Sequence, residues 1–132
     1  MGVIGGLGEM GRLFGQFFQE MGYRVTVADL STERTNREVI EGSDVILFAV
    51  PLHKTVAVIR ELVPFTRPGQ LLMDLTSLKA LPIAEMLRSP AAVVGLHPMF
   101  GGRISSFEGQ TVVACPVRIE RADWSLLRGL FV

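Results

Sequence analysis

Disulfides, an excess of charge and long apolar runs are all missing from this sequence, and each absence excludes a class of protein. The one cysteine, Cys115, cannot form an internal disulfide, which is typical of a chain that folds in a reducing, cytoplasmic setting. The 13 Lys and Arg residues balance the 13 Asp and Glu residues, so we expect no nucleic-acid partner. No apolar run approaches the roughly 18 residues of a membrane span, and the N-terminus does not resemble a signal peptide.

Metal-binding residues are also scarce. The two histidines, His53 and His97, lie far from each other and from Cys115, so the sequence offers no metal-ligand spacing and predicts no metal site. Cys115 precedes Pro116 at the predicted end of a strand and is expected to be structural. His53 opens a helix and is expected to be a solvated residue.

Apolar patterns of two kinds alternate along the chain. A stripe with spacings of three and four, from Met10 to Met21, predicts an amphipathic helix that Gly22 ends. Continuous apolar runs such as DVILFAV at 44–50 predict strands that are buried on both faces. The alternation predicts an α/β fold of Rossmann type, with a doubly wound, mainly parallel sheet of about six strands in one domain over residues 1–132.

The same patterns give approximate bounds for the elements. The predicted strands are 3–4, 23–28, 44–50, 70–74, 91–96 and 110–114. The predicted helices are 10–21, a short one ending near 41, 53–63, 78–87 and 122–130. Ser31 or Thr32 is expected to cap the short helix, because a hydroxyl can accept a hydrogen bond from a free N–H of the first turn.

A G-x-G-x-x-G motif follows the first strand and opens the first helix, which is the context of a dinucleotide-binding loop. Gly6 would permit the tight turn, Gly8 the approach of a pyrophosphate, and Gly11 the close packing of helix on strand. The helix N-terminus would then offer free N–H groups to the phosphates. The alternative is that these glycines only form turns. The expected cofactor-binding residues of the loop are Gly6, Leu7, Gly8, Glu9, Met10 and Gly11.

An acidic residue ends the second predicted strand, about 20 residues beyond the motif. There Asp29 can accept hydrogen bonds from both ribose hydroxyls and repel a 2′-phosphate, which favours NAD over NADP. Arg34 lies nearby and could bind such a phosphate, which would favour NADP. Alternatively, Asp29 could only cap the next helix. Further cofactor contacts are expected from residues at the ends of the third and fourth strands, namely Val50, Pro51, Leu52 and Thr76.

Polar side chains also follow the fourth and fifth strands, where ligands of open α/β sheets bind. His97 can take a proton from a substrate hydroxyl as hydride leaves the same carbon, because histidine is the side chain that most often serves as a general base. Ser77 could hold the imidazole or the substrate by a hydrogen bond. Lys79 could neutralise a substrate carboxylate or lie on a helix surface, and His97 could equally be a buried structural residue.

Several of these segments together resemble the prephenate dehydrogenases, most closely the type fused to chorismate mutase. The likeness covers almost the whole chain, and GLHPMFG spaced after DLTSLK is its most specific part. The matching segments are the glycine motif at 6–11, DVILFAVP at 44–51, DLTSLK at 74–79, GLHPMFG at 95–101 and GQTVV at 109–113.

The resemblance implies an NAD-dependent oxidative decarboxylation. Hydride would pass from the hydroxyl-bearing ring carbon of prephenate to NAD⁺, and the ring carboxylate would leave as CO₂, giving 4-hydroxyphenylpyruvate on the way to tyrosine. By this resemblance His97 contacts the ring hydroxyl, and Ser77 lines the same pocket. The catalytic residues would be His97 and Ser77, and the substrate-binding residues Ser77, Lys79 and His97.

The chain departs from the family in its length. Family members continue into a helical domain that forms a homodimer and supplies basic residues for the substrate carboxylates. We therefore expect this chain to be a fragment that binds NAD but turns over prephenate poorly or not at all alone. Three alternatives stay open at this point: an arogenate dehydrogenase, another NAD(P) reductase with the same domain, and a non-catalytic NAD-binding module.

Overall fold

Strands and helices alternate along the computed structural model, which describes residues 1–131. The strands are β1 (Gly2–Ile4), β2 (Thr26–Ala28), β3 (Val45–Phe48), β4 (Leu71–Asp74), β5 (Ala92–Pro98) and β6 (Val112–Arg118). The helices are α1 (Glu9–Glu20), α2 (Asn36–Glu41), α3 (Leu52–Leu62), α4 (Ala80–Met86) and α5 (Arg121–Phe131), and a 3₁₀ turn (Val63–Phe65) follows α3. No helix in this part of the chain is long and apolar enough to cross a membrane.

The six strands form one sheet in the order β2-β1-β3-β4-β5-β6. The first five are parallel to their neighbours, and β6 runs antiparallel to β5. The predicted Rossmann-type, mainly parallel sheet of about six strands is thus confirmed. The register aligns Ile4 of β1 with Phe48 of β3, Asp74 of β4 and Gly95 of β5, so the carboxyl ends of these strands share one edge.

Helices cover both faces of the sheet, because each face carries apolar side chains that must be removed from water. On one face α2, α3 and α4 pack over a core that includes Ile40, Ile59 and Met86. On the other face α1 and α5 pack over a core that includes Phe14 and Leu127. The strands in between are apolar in both directions, as the run at 44–50 predicts.

Helix α1 follows its predicted pattern closely. Phe14 and Phe18, on the apolar stripe, are fully buried. After the helix, Gly22 has a φ of +93° and its N–H donates to the carbonyl oxygen of Gln19, so the predicted glycine stop is confirmed.

The cap of α2 differs from the prediction. Thr35, and neither Ser31 nor Thr32, caps the helix: its hydroxyl accepts from the N–H of Glu38, whose carboxylate accepts in return from the N–H of Thr35. This reciprocal capping box satisfies two otherwise unpaired donors, which a cap at Ser31 or Thr32 cannot do. Thr32 is used instead in the preceding turn, where its hydroxyl oxygen accepts from the N–H of Asp29.

Strand β6 is also displaced from its predicted bounds. It runs past Cys115 and Pro116 to Arg118, so Cys115 lies within the strand rather than at its end. The strand tolerates proline because it lies at the edge of the sheet, where a missing N–H leaves no ladder partner unpaired. At its end the Arg118 guanidinium donates to the carbonyl oxygens of Ser89 and Ala91, which ties the edge strand to the start of β5.

The capping box gives a stability prediction. We expect Thr35→Ala to lower the free energy of unfolding by about 1 kcal/mol, because the N–H of Glu38 loses its acceptor. Ser31→Ala is the matched control and should change the free energy by less than about 0.5 kcal/mol. Urea denaturation of both variants measures this, and an equal loss in both would contradict the assignment of Thr35 as the cap.

Candidate functional site

A tight turn of glycines joins β1 to α1. Gly5 has a φ of +82°, a conformation that favours glycine, and its N–H donates to the carbonyl oxygen of Ala28 at 2.8 Å. A Cβ on Gly11 would overlap the Gly5 carbonyl oxygen and lie 2.9 Å from the Cα of Gly6. The first turn of α1 therefore rests directly on the turn, as the role predicted for Gly11 requires.

Gly6 lies inside this tight turn, as the sequence analysis expected, because the N–H of Gly8 donates to the carbonyl oxygen of Gly5 at 3.2 Å. Gly6 also has no room for a side chain, because a Cβ there would lie 2.6 Å from the side chain of Val27 on β2. Gly8, in contrast, is exposed, and a Cβ there would make only an ordinary contact with the Gly5 carbonyl oxygen at 3.5 Å.

The N-terminus of α1 has the properties of an anion cradle. Gly8 precedes the helix and supplies no side-chain cap, so the first N–H groups of α1 have no intrahelical acceptor. Free N–H groups and the positive end of the helix dipole together favour phosphate. These features fit the pyrophosphate of a dinucleotide.

Asp29 lies at the end of β2, beside this turn. Its two carboxylate oxygens accept from the N–H of Leu7 at 3.0 Å and from the N–H of Leu30 at 2.8 Å. Each oxygen retains a lone pair for a ribose hydroxyl. Arg12, on α1, also stabilises the turn, because its Nε donates to the carbonyl oxygen of Leu7 at 2.7 Å. Asp29 therefore both holds the glycine turn and occupies the position expected of a ribose ligand.

The segment after β3 borders the same turn. A Cβ on Gly5 would lie 3.0 Å from the backbone nitrogen of Val50, so Val50 and Pro51 lie directly beside the expected cofactor path. Leu52, the first residue of α3, is 53% exposed and available for contact. Their contact with a bound dinucleotide stays a prediction.

A buried carboxylate lies at the end of β4. Asp74 is fully buried, and its Oδ2 accepts from Lys79 Nζ at 2.6 Å and from the N–H of Thr76 at 3.2 Å. The Thr76 hydroxyl donates to the same oxygen. Lys79 Nζ also donates to the carbonyl oxygen of Leu96 on β5 at 2.6 Å. One buried ion pair thus ties the ends of two neighbouring strands together.

Space for this pair depends on Gly95, the residue that pairs with Asp74 across the two strands. A Cβ there would lie 3.0 Å from the Lys79 side chain and 3.4 Å from Asp74 Oδ1. Within residues 1–131 that Oδ1 atom is buried and has no hydrogen-bond donor. Burial lowers the pKa of Lys79 from its ordinary value, and the hydrogen bond with Asp74 raises it in part.

Of the two roles that the sequence left open for Lys79, neutralising a carboxylate is closer to what the structure shows. The carboxylate, however, belongs to Asp74 of the same chain and not to a substrate. Thr76, expected to contact the cofactor, is buried and bonded to Asp74. Both residues hold the strand ends, and their direct contact with ligands stays a prediction.

His97 lies on β5 two positions beyond Gly95 and directly after the carbonyl that Lys79 holds. It is half-buried, and it shares the α4 face of the sheet with Gly95 because side chains alternate along a strand. Ser77 is exposed, just before α4. No hydrogen bond joins Ser77 to His97 in the part of the chain that the structure describes, so this pairing stays a prediction.

The loop between β5 and β6 reaches back to the glycine turn. A Cβ on Gly102 would lie 2.6 Å from Glu9 Cβ and 2.9 Å from its carbonyl carbon, so the loop touches the first residue of α1. Arg103 Nε donates to Glu9 Oε1 at 3.0 Å. Sequence reasoning assigned no role to either loop residue, because nothing local in GGRISS indicates a contact with a motif some 90 residues away.

The sequence analysis also gave no role to two further residues of the site, Asp74 and Gly5. Asp74 was quoted within DLTSLK but given no role, although a charge at the end of an apolar strand signals that a partner is needed. Gly5 stands one position before the motif, and only its backbone angle distinguishes it. Among residues 1–131, no cluster of His, Cys, Asp and Glu could hold a metal ion.

Two clefts, with volumes of about 570 and 520 Å³, lie away from these residues. The larger is at the opposite edge of the sheet, beside the first residues of β3, β4 and β5, and the smaller lies between β6, α5 and α1. The candidate site is instead an open edge, where backbone groups and charges converge.

Comparisons with known proteins identify the family. A family model described as "Prephenate dehydrogenase, nucleotide-binding domain" matches residues 17–125. The T-protein of Haemophilus influenzae is 38% identical over 126 residues, which are 94% of this chain and 33% of that protein. A probable arogenate/prephenate dehydrogenase of Methanocaldococcus jannaschii is 33% identical, covering 86% of this chain and 29% of that protein. The chain thus spans about a third of the length of these curated relatives.

A solved structure shows the shared fold. Prephenate dehydrogenase from A. aeolicus, in complex with hydroxyphenyl propionate and NAD⁺, superposes with a TM-score of 0.77 over 98% of this chain and 55% of that chain. The two sequences are 17% identical, so this likeness concerns the fold alone.

The contact of Gly11 with the glycine turn gives a binding prediction. We expect Gly11→Ala to raise the Kd for NAD⁺ about tenfold or more, because relieving an overlap that costs about 1–3 kcal/mol moves α1 away from the turn. Gly15→Ala is the matched control on the same helix, since its Cβ would lie 3.8 Å from the nearest atom outside the helix. Calorimetric titration of both variants tests this, and unchanged binding in Gly11→Ala would contradict it.

The buried ion pair gives a second prediction. We expect Lys79→Met to lower the free energy of unfolding by about 3 kcal/mol, because the buried Asp74 carboxylate is left unpaired. The double variant with Asp74→Asn should recover part of that loss. Lys54→Met, at an exposed position on α3, is the control and should change stability by less than about 0.5 kcal/mol. Denaturant titration gives all three values, and equal stability of Lys79→Met and the control would show that the pair contributes nothing.

Proposed function

The chain belongs to the prephenate dehydrogenase family, and on that premise we propose that it is the NAD-binding part of an enzyme that oxidatively decarboxylates prephenate to 4-hydroxyphenylpyruvate. Membership of the family confirms the resemblance drawn from the DLTSLK and GLHPMFG segments. It also confirms NAD as the dinucleotide of this domain.

The observation that carries the proposal is the position of His97 relative to the glycine turn. Both lie at the carboxyl edge of the sheet, where β1, β3 and β4 end together and β5 continues past them to Pro98. A dinucleotide with its pyrophosphate at the N-terminus of α1 and its adenosine at Asp29 runs along this edge. Its nicotinamide half would then extend across the ends of β4 and β5, toward His97.

The preference for NAD over NADP rests on Asp29. A carboxylate at this place accepts hydrogen bonds from ribose hydroxyls and repels a 2′-phosphate. The Asp29 carboxylate is held in place by two backbone N–H groups, so it cannot easily turn away from a phosphate. Arg34 has an exposed side chain in the following turn and is the residue that could oppose this preference.

In the proposed reaction, His97 is the residue that accepts and returns a proton. Bound NAD⁺ supplies the acceptor for the hydride that leaves the hydroxyl-bearing ring carbon. His97 accepts the hydroxyl proton as the C–H bond breaks, and it returns a proton to the phenolic oxygen once the ring carboxylate has left as CO₂. The imidazole is suited to both transfers because a histidine ring nitrogen can both accept and donate a proton. Lys79 and Asp74 position His97 by fixing the carbonyl of Leu96, the residue before it.

Arogenate is the second candidate substrate. The M. jannaschii relative is described as a probable arogenate/prephenate dehydrogenase. Both substrates present the same ring hydroxyl and ring carboxylate, so the role proposed for His97 is the same for either.

We further propose that the substrate carboxylates and a homodimer interface are served by residues outside these 132. The support is that the curated relatives are about three times as long as the matched region. A chain of this length is then expected to bind NAD⁺ and to turn over prephenate slowly on its own.

A chimera tests the function directly. We replace the matching third of the H. influenzae T-protein with this chain and expect NADH formation from prephenate, with NAD⁺ preferred over NADP⁺. In this chimera, His97→Asn should lower kcat by about 100- to 10,000-fold, because the proton acceptor is lost, and should leave the Kd for NAD⁺ unchanged.

His53→Asn is the matched control, because His53 is exposed at the start of α3, and it should leave kcat unchanged. Arogenate is assayed beside prephenate in every variant. Full activity in His97→Asn would contradict the role of His97. A chimera that binds NAD⁺ but oxidises neither substrate would favour a non-catalytic NAD-binding module.

A further inference from the structure

The loop between β5 and β6, residues 99–111, carries a cation to the phosphate end of the dinucleotide site. We propose that Arg103 neutralises Glu9 at the N-terminus of α1 and thereby raises the affinity of the site for NAD⁺. The inference rests on the proposed placement of the pyrophosphate at this helix end. It adds the loop to the cofactor-binding part of the molecule.

Aromatic packing holds the loop against α1. The ring of Phe14 on α1 lies 6.3 Å from that of Phe100 and 5.1 Å from that of Phe107, between ring centroids. Phe17, one turn further along the helix, lies 4.4 Å from Phe107. At the base of the loop the N–H of Met99 donates to the carbonyl oxygen of Thr111 at 2.8 Å. Both ends of the loop are therefore anchored, which limits where its tip can lie.

The tip lies on the first residue of α1. Gly102 approaches Glu9 so closely that a Cβ would meet backbone atoms of the helix, which cannot move aside. This contact places the next residue, Arg103, beside the Glu9 carboxylate, with Nε and Oε1 3.0 Å apart. The ion pair is thus set by backbone packing and by more than the reach of two flexible side chains.

The charge of Glu9 opposes phosphate binding at this position. A carboxylate in the first turn stabilises the helix, but it stands where a pyrophosphate would bind, and like charges repel. Arg103 cancels that charge. The two side chains are 90% and 61% exposed, so the pair adds little to folding stability, and we expect its effect to appear in NAD⁺ binding.

The same loop connects the two halves of the site. It begins directly after Pro98, the last residue of β5, and His97 precedes that residue. The strand end that carries His97 is therefore joined, through a few residues, to the loop tip beside the pyrophosphate position.

The first experiment removes the two charges in turn, with Kd for NAD⁺ measured by calorimetry on this chain. We expect Arg103→Gln to raise Kd about fivefold and to leave the melting temperature unchanged, and the difference from wild type should shrink at high salt. The double variant Glu9→Gln/Arg103→Gln should bind within about twofold of wild type, because no charge is left to repel the phosphates. An equal rise in Kd in the single and the double variant would show that Arg103 does not act by neutralising Glu9 and would overturn the proposal.

The second experiment moves the loop without changing a charge. We expect Gly102→Ala to weaken NAD⁺ binding at least as much as Arg103→Gln, because the loop must leave the helix. Gly101→Ala is the neighbouring control, since a Cβ there meets nothing within 4 Å, and it should bind as wild type does. Wild-type affinity in Arg103→Gln or in Gly102→Ala would overturn the inference alone. A wild-type chain that binds no NAD⁺ would overturn the proposed dinucleotide site as well.

Discussion

The need to compensate one buried negative charge organises the carboxyl edge of this sheet. Asp74 ends a strand at the centre of the sheet and has no access to water, so its carboxylate must find donors within the protein. It finds them in Thr76 and Lys79, which therefore turn inward. Lys79 also donates a hydrogen bond to the carbonyl oxygen of Leu96. The side chain that compensates the buried charge therefore also fixes the end of β5.

The cofactor end of the site depends on a different constraint, the close approach of backbone to backbone. Side chains are excluded at Gly5, Gly6 and Gly11 by contacts with neighbouring strands and with the turn itself. That packing directs the unpaired N–H groups of α1 toward the edge of the sheet. The loop at 99–111 shows the same close approach at Gly102, which packs against the first residue of α1.

Much of this arrangement could be predicted from the sequence, and the rest is missing for physical reasons. The motif at 6–11 and Asp29 were recognisable because each acts through its spacing from a strand or a helix. The hydrogen bond from Lys79 to the carbonyl oxygen of Leu96 and the docking of Arg103 on Glu9 were not recognisable, because they join segments that meet only in three dimensions. Pro116 misled the prediction of β6, since a proline in a strand is tolerated only at an edge and the strand order was not yet known.

The sequence by itself determined the fold class and the cofactor of this protein, because apolar periodicity and glycine spacing are local properties of the chain. The family followed from the likeness of its DLTSLK and GLHPMFG segments to known proteins. Only the tertiary structure decided which side chains are free to act. Lys79 and Thr76 were candidates for ligand contact by position, yet the buried Asp74 engages both. Arg103 had no role by position, yet the contact of Gly102 with α1 brings it to the N-terminus of that helix. The physical reason is that burial and charge pairing depend on the distances between segments, which the fold sets and the order of residues does not.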